Sequence, residues 1–225
     1  MRVVTIDGPA GSGKSTVAHR LAETLGWRML DTGAMYRAVT LAALREGVDL
    51  NDDDAVSAIA ATVTVTLPAG RVFLDDEDVS LAIRTAEVAR ATSAVADRPG
   101  VRKRLVELQR EFARENDVVT EGRDQGTIVF PDALRKFFLT ASLEERARRR
   151  LAEFSSRGEH FSMESVQNDV KARDERDESR AIAPMKPALD AMIIDTTGMS
   201  LDDVLARIIG EVRGALNRRP EGDAS

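Results

Sequence analysis

Apolar runs and helical patterns alternate along this chain, the arrangement expected of a parallel α/β sheet. Val3-Val4-Thr5-Ile6 reads as a buried strand that feeds a glycine-rich stretch. A helix follows from Ser15 to about Leu25: Val17, Leu21 and Leu25 lie four apart with Ala18 and Ala22 beside them, giving one apolar face. Gly26 suits its C-terminus. Arg28-Met29-Leu30 predicts a short second strand ending at Asp31-Thr32-Gly33, then a helix over 34–45. Later core strands are expected at 118–120, 136–141 and 192–196. Helices are expected over 86–95, 99–115 and 143–154, and from a Ser162 cap to about Arg180. Ser200 caps a last helix, with Leu201, Val204, Leu205, Ile208 and Val212 inward, and the polar tail after Asn217 should fray.

One region breaks the rhythm. Residues 62–67 and 71–74 flank Pro68-Ala69-Gly70 and predict a β-hairpin, with an acidic turn at 75–78. The stretch 60–83 reads as an insertion between core elements.

Composition narrows the class. At 225 residues, 43% hydrophobic and 31% charged, the chain suits one substantial globular core. A net charge of -6 argues against binding a nucleic-acid polymer or an anionic membrane by long-range attraction. With no cysteine and only His19 and His160 as histidines, thiolate or histidine-rich metal sites and a Ser-His-Asp hydrolase are disfavoured. The first strand runs straight into the glycine stretch, leaving no room for a targeting peptide, and no apolar run approaches the ~20 residues of a membrane span. A cytoplasmic location is expected.

Gly8-Pro9-Ala10-Gly11-Ser12-Gly13-Lys14-Ser15-Thr16 satisfies G-x-x-x-x-G-K-[ST] and sits between an expected strand and an expected helix. Glycines let backbone amides wrap phosphates, and the helix N-terminus adds partial positive charge. Lys14 would reach the β- and γ-phosphates of ATP, and the Ser15 hydroxyl would ligate Mg²⁺. No Asn-Lys-x-Asp is present to read guanine, and Val118-Val119-Thr120-Glu121-Gly122 lacks the Asp-Glu pair of a motor ATPase. Something other than water is therefore the expected phosphoryl acceptor.

An anionic acceptor needs cations, and open α/β sheets bind ligands at strand ends. Asp31-Thr32-Gly33, with Tyr36 and Arg37 one turn on, follows the second strand, and Glu121-Gly122-Arg123-Asp124 follows the third. On a helix Arg173, Asp177 and Arg180 share one face, as a phosphate and ribose clamp would require or as a solvated helix laced with ion pairs would show. Arg146, Arg148, Arg149 and Arg150 are likewise either a solvated face or a lid over ATP.

Together with Leu30–Arg37, Glu121–Thr127, Val129–Ala133, Arg173–Pro184 and Ile194–Thr197, the glycine loop resembles the bacterial cytidylate kinases, block by block from residue 3 to about 212. The resemblance implies a P-loop NTPase-type three-layer α/β fold with a five-stranded parallel sheet, a helical lid and a β-rich insertion. It implies one kinase domain: core at about 1–60, 96–145 and 185–216, acceptor region at about 32–115, lid at about 146–175. It also implies ATP-dependent phosphorylation of CMP or dCMP, and a monomer is expected. Arg37, Arg123 and Arg180 would hold the CMP phosphate, Arg173 and Asp177 would address the sugar, and Ser93, Arg102 and Asp124 would read the cytosine. Arg146, Arg149 and Arg150 would close over ATP. Thr32 and Tyr36 belong to the acceptor-side block, and Lys14, Arg123 and Arg180 are the candidate catalytic cations. Gln125 departs from the family's usual apolar residue, which predicts a local packing change with activity retained. The rivals are a kinase for dTMP, UMP or shikimate, and a slowly hydrolysing nucleotide switch.

Overall fold

A computed structural model describes residues 1–156 and 158–218. Its elements run β1 (Val3–Asp7), α1 (Lys14–Leu25), β2 (Arg28–Asp31), α2 (Thr32–Glu46), α3 (Asp53–Thr62), β3 (Val65–Thr66), β4 (Phe73–Leu74) and β5 (Glu77–Asp78). They continue with α4 (Ala86–Ala96), α5 (Pro99–Arg114), β6 (Val118–Gly122), β7 (Arg135–Thr140), α6 (Leu143–Ser156), α7 (Met163–Ser179), β8 (Met192–Asp195) and α8 (Leu201–Arg218). The main sheet has the order β2-β6-β1-β7-β8. The chain forms two compact units, Met1–Arg28 with Asp117–Ser225, and Met29–Asn116.

In the first unit β1 is central because its residues are all buried, as a near-continuous apolar strand covered on both faces must be. It runs parallel to β6 (Val3 opposite Val118, Asp7 opposite Gly122) and to β7 (Val4 opposite Arg135, Asp7 opposite Phe138), and β7 runs parallel to β8. Val4, Ile6, Val119, Phe137, Leu139 and Ile194 fill the core between layers. Helix α1 packs its Val17, Ala18, Leu21 and Ala22 inward and ends on Gly26 at φ 67°, a left-handed cap that glycine adopts without strain. Val204, Leu205, Ile208 and Val212 of α8 are buried as their spacing predicts, with Leu201 only half-buried at its start. Helices α6 and α7 pack through Ala147, Val166 and Val170, with Leu143, Leu151, Phe154 and Met163 around them. The Ser162 side chain caps α7 by accepting from the Ser165 amide at 3.1 Å.

The second unit is mainly helical. Asp31 caps α2 by accepting from the Ala34 amide at 2.8 Å, which starts the helix at Thr32, ahead of the expected Ala34. The expected 62–67 strand shrinks to Val65–Thr66, because Thr62 closes α3, a helix the strand-like Thr-Val alternation obscured. A small antiparallel sheet pairs Val65 with Leu74 and Phe73 with Asp78, and a 3₁₀ turn over Pro68–Gly70 joins its first two strands. The acidic turn is confined to Asp75 and Asp76, both at positive φ, while Glu77 and Asp78 enter β5 and pair with Arg45 and Arg71. Among the described residues no helix is long and apolar enough to cross a membrane. Residues 219–225 of the tail expected to fray lie outside the described residues.

Candidate active site

The glycine stretch leaves β1 and enters α1 as its motif predicts. Gly8, Gly11 and Gly13 take positive φ. A Cβ on Gly8 would lie 2.0 Å from the Leu139 carbonyl oxygen, and one on Gly11 would lie 2.8 Å from that of Arg146. The loop is thus pressed against the end of β7 and the first turns of α6, which only glycine permits. Lys14 is buried and its Nζ donates to the Pro9 carbonyl at 2.7 Å, holding the ammonium across the loop. Burial, then the charges of Arg123 and Arg173, push that ammonium down to about 7 against the opposing pull of Glu121 and Asp7. Such a loop gains from any anion brought to it. Ser12 Oγ, buried in the same loop, has no hydrogen-bond partner among the described residues.

Two arginines brace the loop from α6. Arg146 Nε donates to the Ala141 carbonyl at 3.0 Å and its NH1 to the Ala10 carbonyl at 3.2 Å, while pairing with Asp174 of α7. Arg149 donates to Glu145 at 2.8 Å, and to the hydroxyl and carbonyl of Thr196 at 3.0 and 2.8 Å. Thr196 in turn donates to the Ser12 carbonyl at 3.3 Å and the Thr140 carbonyl at 2.9 Å. Arg150 lies further out, paired with Glu153 and with its guanidinium 4.8 Å from the Phe154 ring. Of the three arginines expected at the lid base, Arg146 and Arg149 touch loop-bracing groups and Arg150 stays on its own helix face.

A second cationic cluster belongs to the same unit. Arg123, just past β6, donates through Nε to Asp177 Oδ2 at 2.9 Å, and Arg180 NH2 pairs with Oδ1 of the same carboxylate at 2.7 Å. Burial pushes the Asp177 carboxyl up, but Arg123, Arg180 and Arg173 outweigh it and hold the group below its usual range. Three guanidiniums thus act on one carboxylate, a local excess of positive charge suited to an anion. The helical stripe needs one correction. Helix α7 stops at Ser179, and Arg180 is its non-helical cap at φ -54°, ψ 132°, so it reaches Asp177 from the cap. The Met185 amide donates to the Asp177 carbonyl at 2.8 Å, which turns the chain away there and ends the helix.

Asp124 is buried and opens a π-helical turn over Gln125–Val129. Gln125 is buried too, and Thr120 Oγ1 donates to its Oε1 at 2.9 Å. A polar side chain is accepted there because Thr120 supplies a partner, so the buried Gln125 acceptor is satisfied.

The remaining expected residues lie in the second unit. Thr32 is buried at the start of α2, and Arg37, one turn on, pairs with Asp31 at 3.5 Å. A Cβ on Gly33 would lie 2.9 Å from Arg37 NH1, so the glycine makes room for that guanidinium. The Arg102 guanidinium of α5 lies 5.9 Å from the Tyr36 ring of α2, within cation–π range. Ser93 is half-buried on α4, which packs against both α2 and α5.

Among the described residues no three or more acidic, histidine or cysteine side chains cluster to hold a metal ion. Ser15 is exposed at the first turn of α1. One hydroxyl beside a phosphate-binding loop, with no protein cage, is a donor set that fits Mg²⁺ carried in on phosphate oxygens.

The cytidylate kinase family model matches residues 4–214. The chain belongs to the cytidylate kinase family. A cytidylate kinase of Pseudomonas syringae pv. tomato is 49% identical over 93% of this chain and 94% of its own length. One from Pasteurella multocida is 46% identical over 96% of each. In fold, an uncharacterized protein from Eubacterium ventriosum superposes with a TM-score of 0.54, at 13% identity, over 95% of this chain and 99% of that one. Membership accounts for the order of the motif blocks along the chain. Local spacing alone did not point to Asp7, Asp174 or Thr196. Asp174 and Thr196 stand inside recognised blocks, but their partners lie 28 and 184 residues away, where no periodicity could reveal them.

Proposed function

We propose that this chain transfers the γ-phosphoryl group of ATP to CMP or dCMP, giving CDP or dCDP, as a cytoplasmic monomer whose partners are free nucleotides and not a nucleic-acid polymer or membrane. Family membership over nearly the whole chain carries this reading. The amides of Gly8 to Thr16 wrap the donor phosphates, and Lys14 exchanges the Pro9 carbonyl for a phosphate oxygen. Mg²⁺, held by Ser15 and the donor phosphates, supplies charge neutralisation when bound. Arg146 braces the loop, and Arg149 and Arg150 close over ATP.

Arg123 and Arg180 bind the acceptor phosphate, with Arg37 assisting. Asp177 holds the first two guanidiniums apart and, since each carboxylate oxygen accepts more than one hydrogen bond, takes a sugar hydroxyl alongside Arg173. Ser93, Arg102 and Asp124 read the base. Cytosine donates from its 4-amino group where uracil accepts, so a hydroxyl and a carboxylate placed there favour cytosine. Thr32 and Tyr36 line the acceptor side. The acceptor oxygen is already anionic, so charge stabilisation by Lys14, Arg123 and Arg180 replaces a general base.

ADP formation measured against CMP, dCMP, UMP, dTMP and shikimate tests this reading. CMP and dCMP should give the highest kcat/KM, by about 10²-fold or more over the others. Equal turnover with UMP or dTMP would contradict the assigned base reading. ATP binding without acceptor-dependent turnover would instead favour a nucleotide switch.

A further inference from the structure

Asp7 ends β1 immediately before the phosphate loop, and none of the roles above uses it. Its side chain is buried. Oδ1 accepts the Gln125 amide at 2.9 Å and Oδ2 accepts the Gly126 amide at 2.8 Å. Those amides belong to the turn that directly follows Arg123 and Asp124. One carboxylate therefore joins the strand that launches the donor loop to the turn that follows two assigned acceptor groups.

The seat is tight. A Cβ on Gly126 would meet Thr5 Oγ1 at 2.9 Å, Lys136 Cδ at 3.2 Å and Asp7 Oδ2 at 3.3 Å, so only glycine lets the turn approach. Thr120 holds the same turn from β6 through the Gln125 side chain. Each amide meets its own oxygen, an arrangement a carboxylate provides and an amide or hydroxyl side chain of that length does not. Burial pushes the Asp7 carboxyl up to about 6, against the opposing help of the Gly126 and Gln125 amides.

We infer that Asp7 is a positioning residue for the phosphoryl acceptor, holding Arg123 and Asp124 in register with the phosphate loop through the Gln125 and Gly126 amides. The inference rests on the proposed reading of Arg123 and Asp124 as acceptor-binding groups. Asp7 acts through them and touches neither nucleotide.

Three variants of the full chain separate the possibilities: Asp7→Asn, Gly126→Ala and Arg123→Ala. Asparagine accepts one amide and turns its own N–H towards the other. The alanine leaves the carboxylate in place and pushes the turn off it. Steady-state KM and kcat for CMP are measured beside the equilibrium Kd for ATP. Asp7→Asn and Gly126→Ala should each raise the CMP KM about tenfold or more and lower kcat, with the ATP Kd within about twofold of wild type. Unchanged CMP kinetics in either folded variant would overturn the inference. So would an equal loss of ATP affinity, which assigns Asp7 to folding of the loop. If Asp7→Asn does not fold, Gly126→Ala decides alone. Wild-type CMP kinetics in Arg123→Ala would instead overturn the acceptor reading itself.

Discussion

The phosphate loop and the Arg123–Asp177–Arg180 cluster both present positive charge to anions, by opposite means. The loop uses backbone: glycines pressed against the Leu139 and Arg146 carbonyls, and one lysine held to its own Pro9 carbonyl. The cluster uses side chains from just past β6 and the end of α7: Arg123 and Asp177 lie 54 residues apart, and the Asp177 carboxylate joins Arg123 to Arg180. A backbone cradle is specified within nine consecutive residues and suits any polyphosphate. A side-chain cluster is assembled by the fold and can be shaped to one acceptor. Under the proposed reading, donor binding falls to backbone and acceptor binding to side chains.

The largest effect that sharpens this contrast should come from Lys14→Met. Removing the loop's side-chain cation should cut kcat by about 10³-fold with the fold intact, read as ADP formation with saturating CMP. A loss below about tenfold would mean that the backbone alone suffices. Next comes Asp177→Ala, which removes the carboxylate that Arg123 and Arg180 share. Unfolding free energy should fall by roughly 3 kcal/mol in denaturant titrations, because two buried like charges lose a shared counter-ion. Added phosphate should recover part of that loss, whereas a variant as stable as wild type would show that the cluster is held by packing.

A smaller effect follows the ionisation of Asp7. Its folded carboxyl titrates near 6, above the ordinary 3.8, so the folded chain holds more protons than the unfolded chain between those values. Its contribution to stability is therefore greatest below about pH 4 and is lost as pH rises through 6. Carboxyls held low, such as Asp177 and Glu145, run the other way, so the readout is the difference from Asp7→Asn. That difference should decline by about 2–3 kcal/mol between pH 4 and pH 7. A flat difference would mean that the buried carboxylate costs nothing to ionise.

The same contrast explains what could be read in advance. The loop, the strand before it and the helix after it follow from contiguous spacing, and so do the five core strands and the inward face of α8. Asp31 was placed at a strand end, and its capping of α2 is a local interaction of the kind sequence carries. Helix α3 is hidden by the Thr-Val alternation that follows it, which reads as strand until tertiary packing decides otherwise. Spacing alone favours a solvated helix for the Arg173, Asp177 and Arg180 stripe, and the approach of Arg123 from the end of β6 makes it a cluster. Asp7, Thr196 and Asp174 stayed hidden for the same reason: each acts on a backbone or side chain far off in sequence.

The central claim, that the side-chain cluster serves the acceptor and the backbone loop the donor, is tested most directly by Arg180→Ala, with CMP kinetics and the ATP Kd measured on the same folded preparation. The kcat/KM for CMP should fall about 10²-fold or more with ATP affinity within about twofold of wild type. Wild-type CMP kinetics, or a parallel loss of ATP affinity, would contradict it.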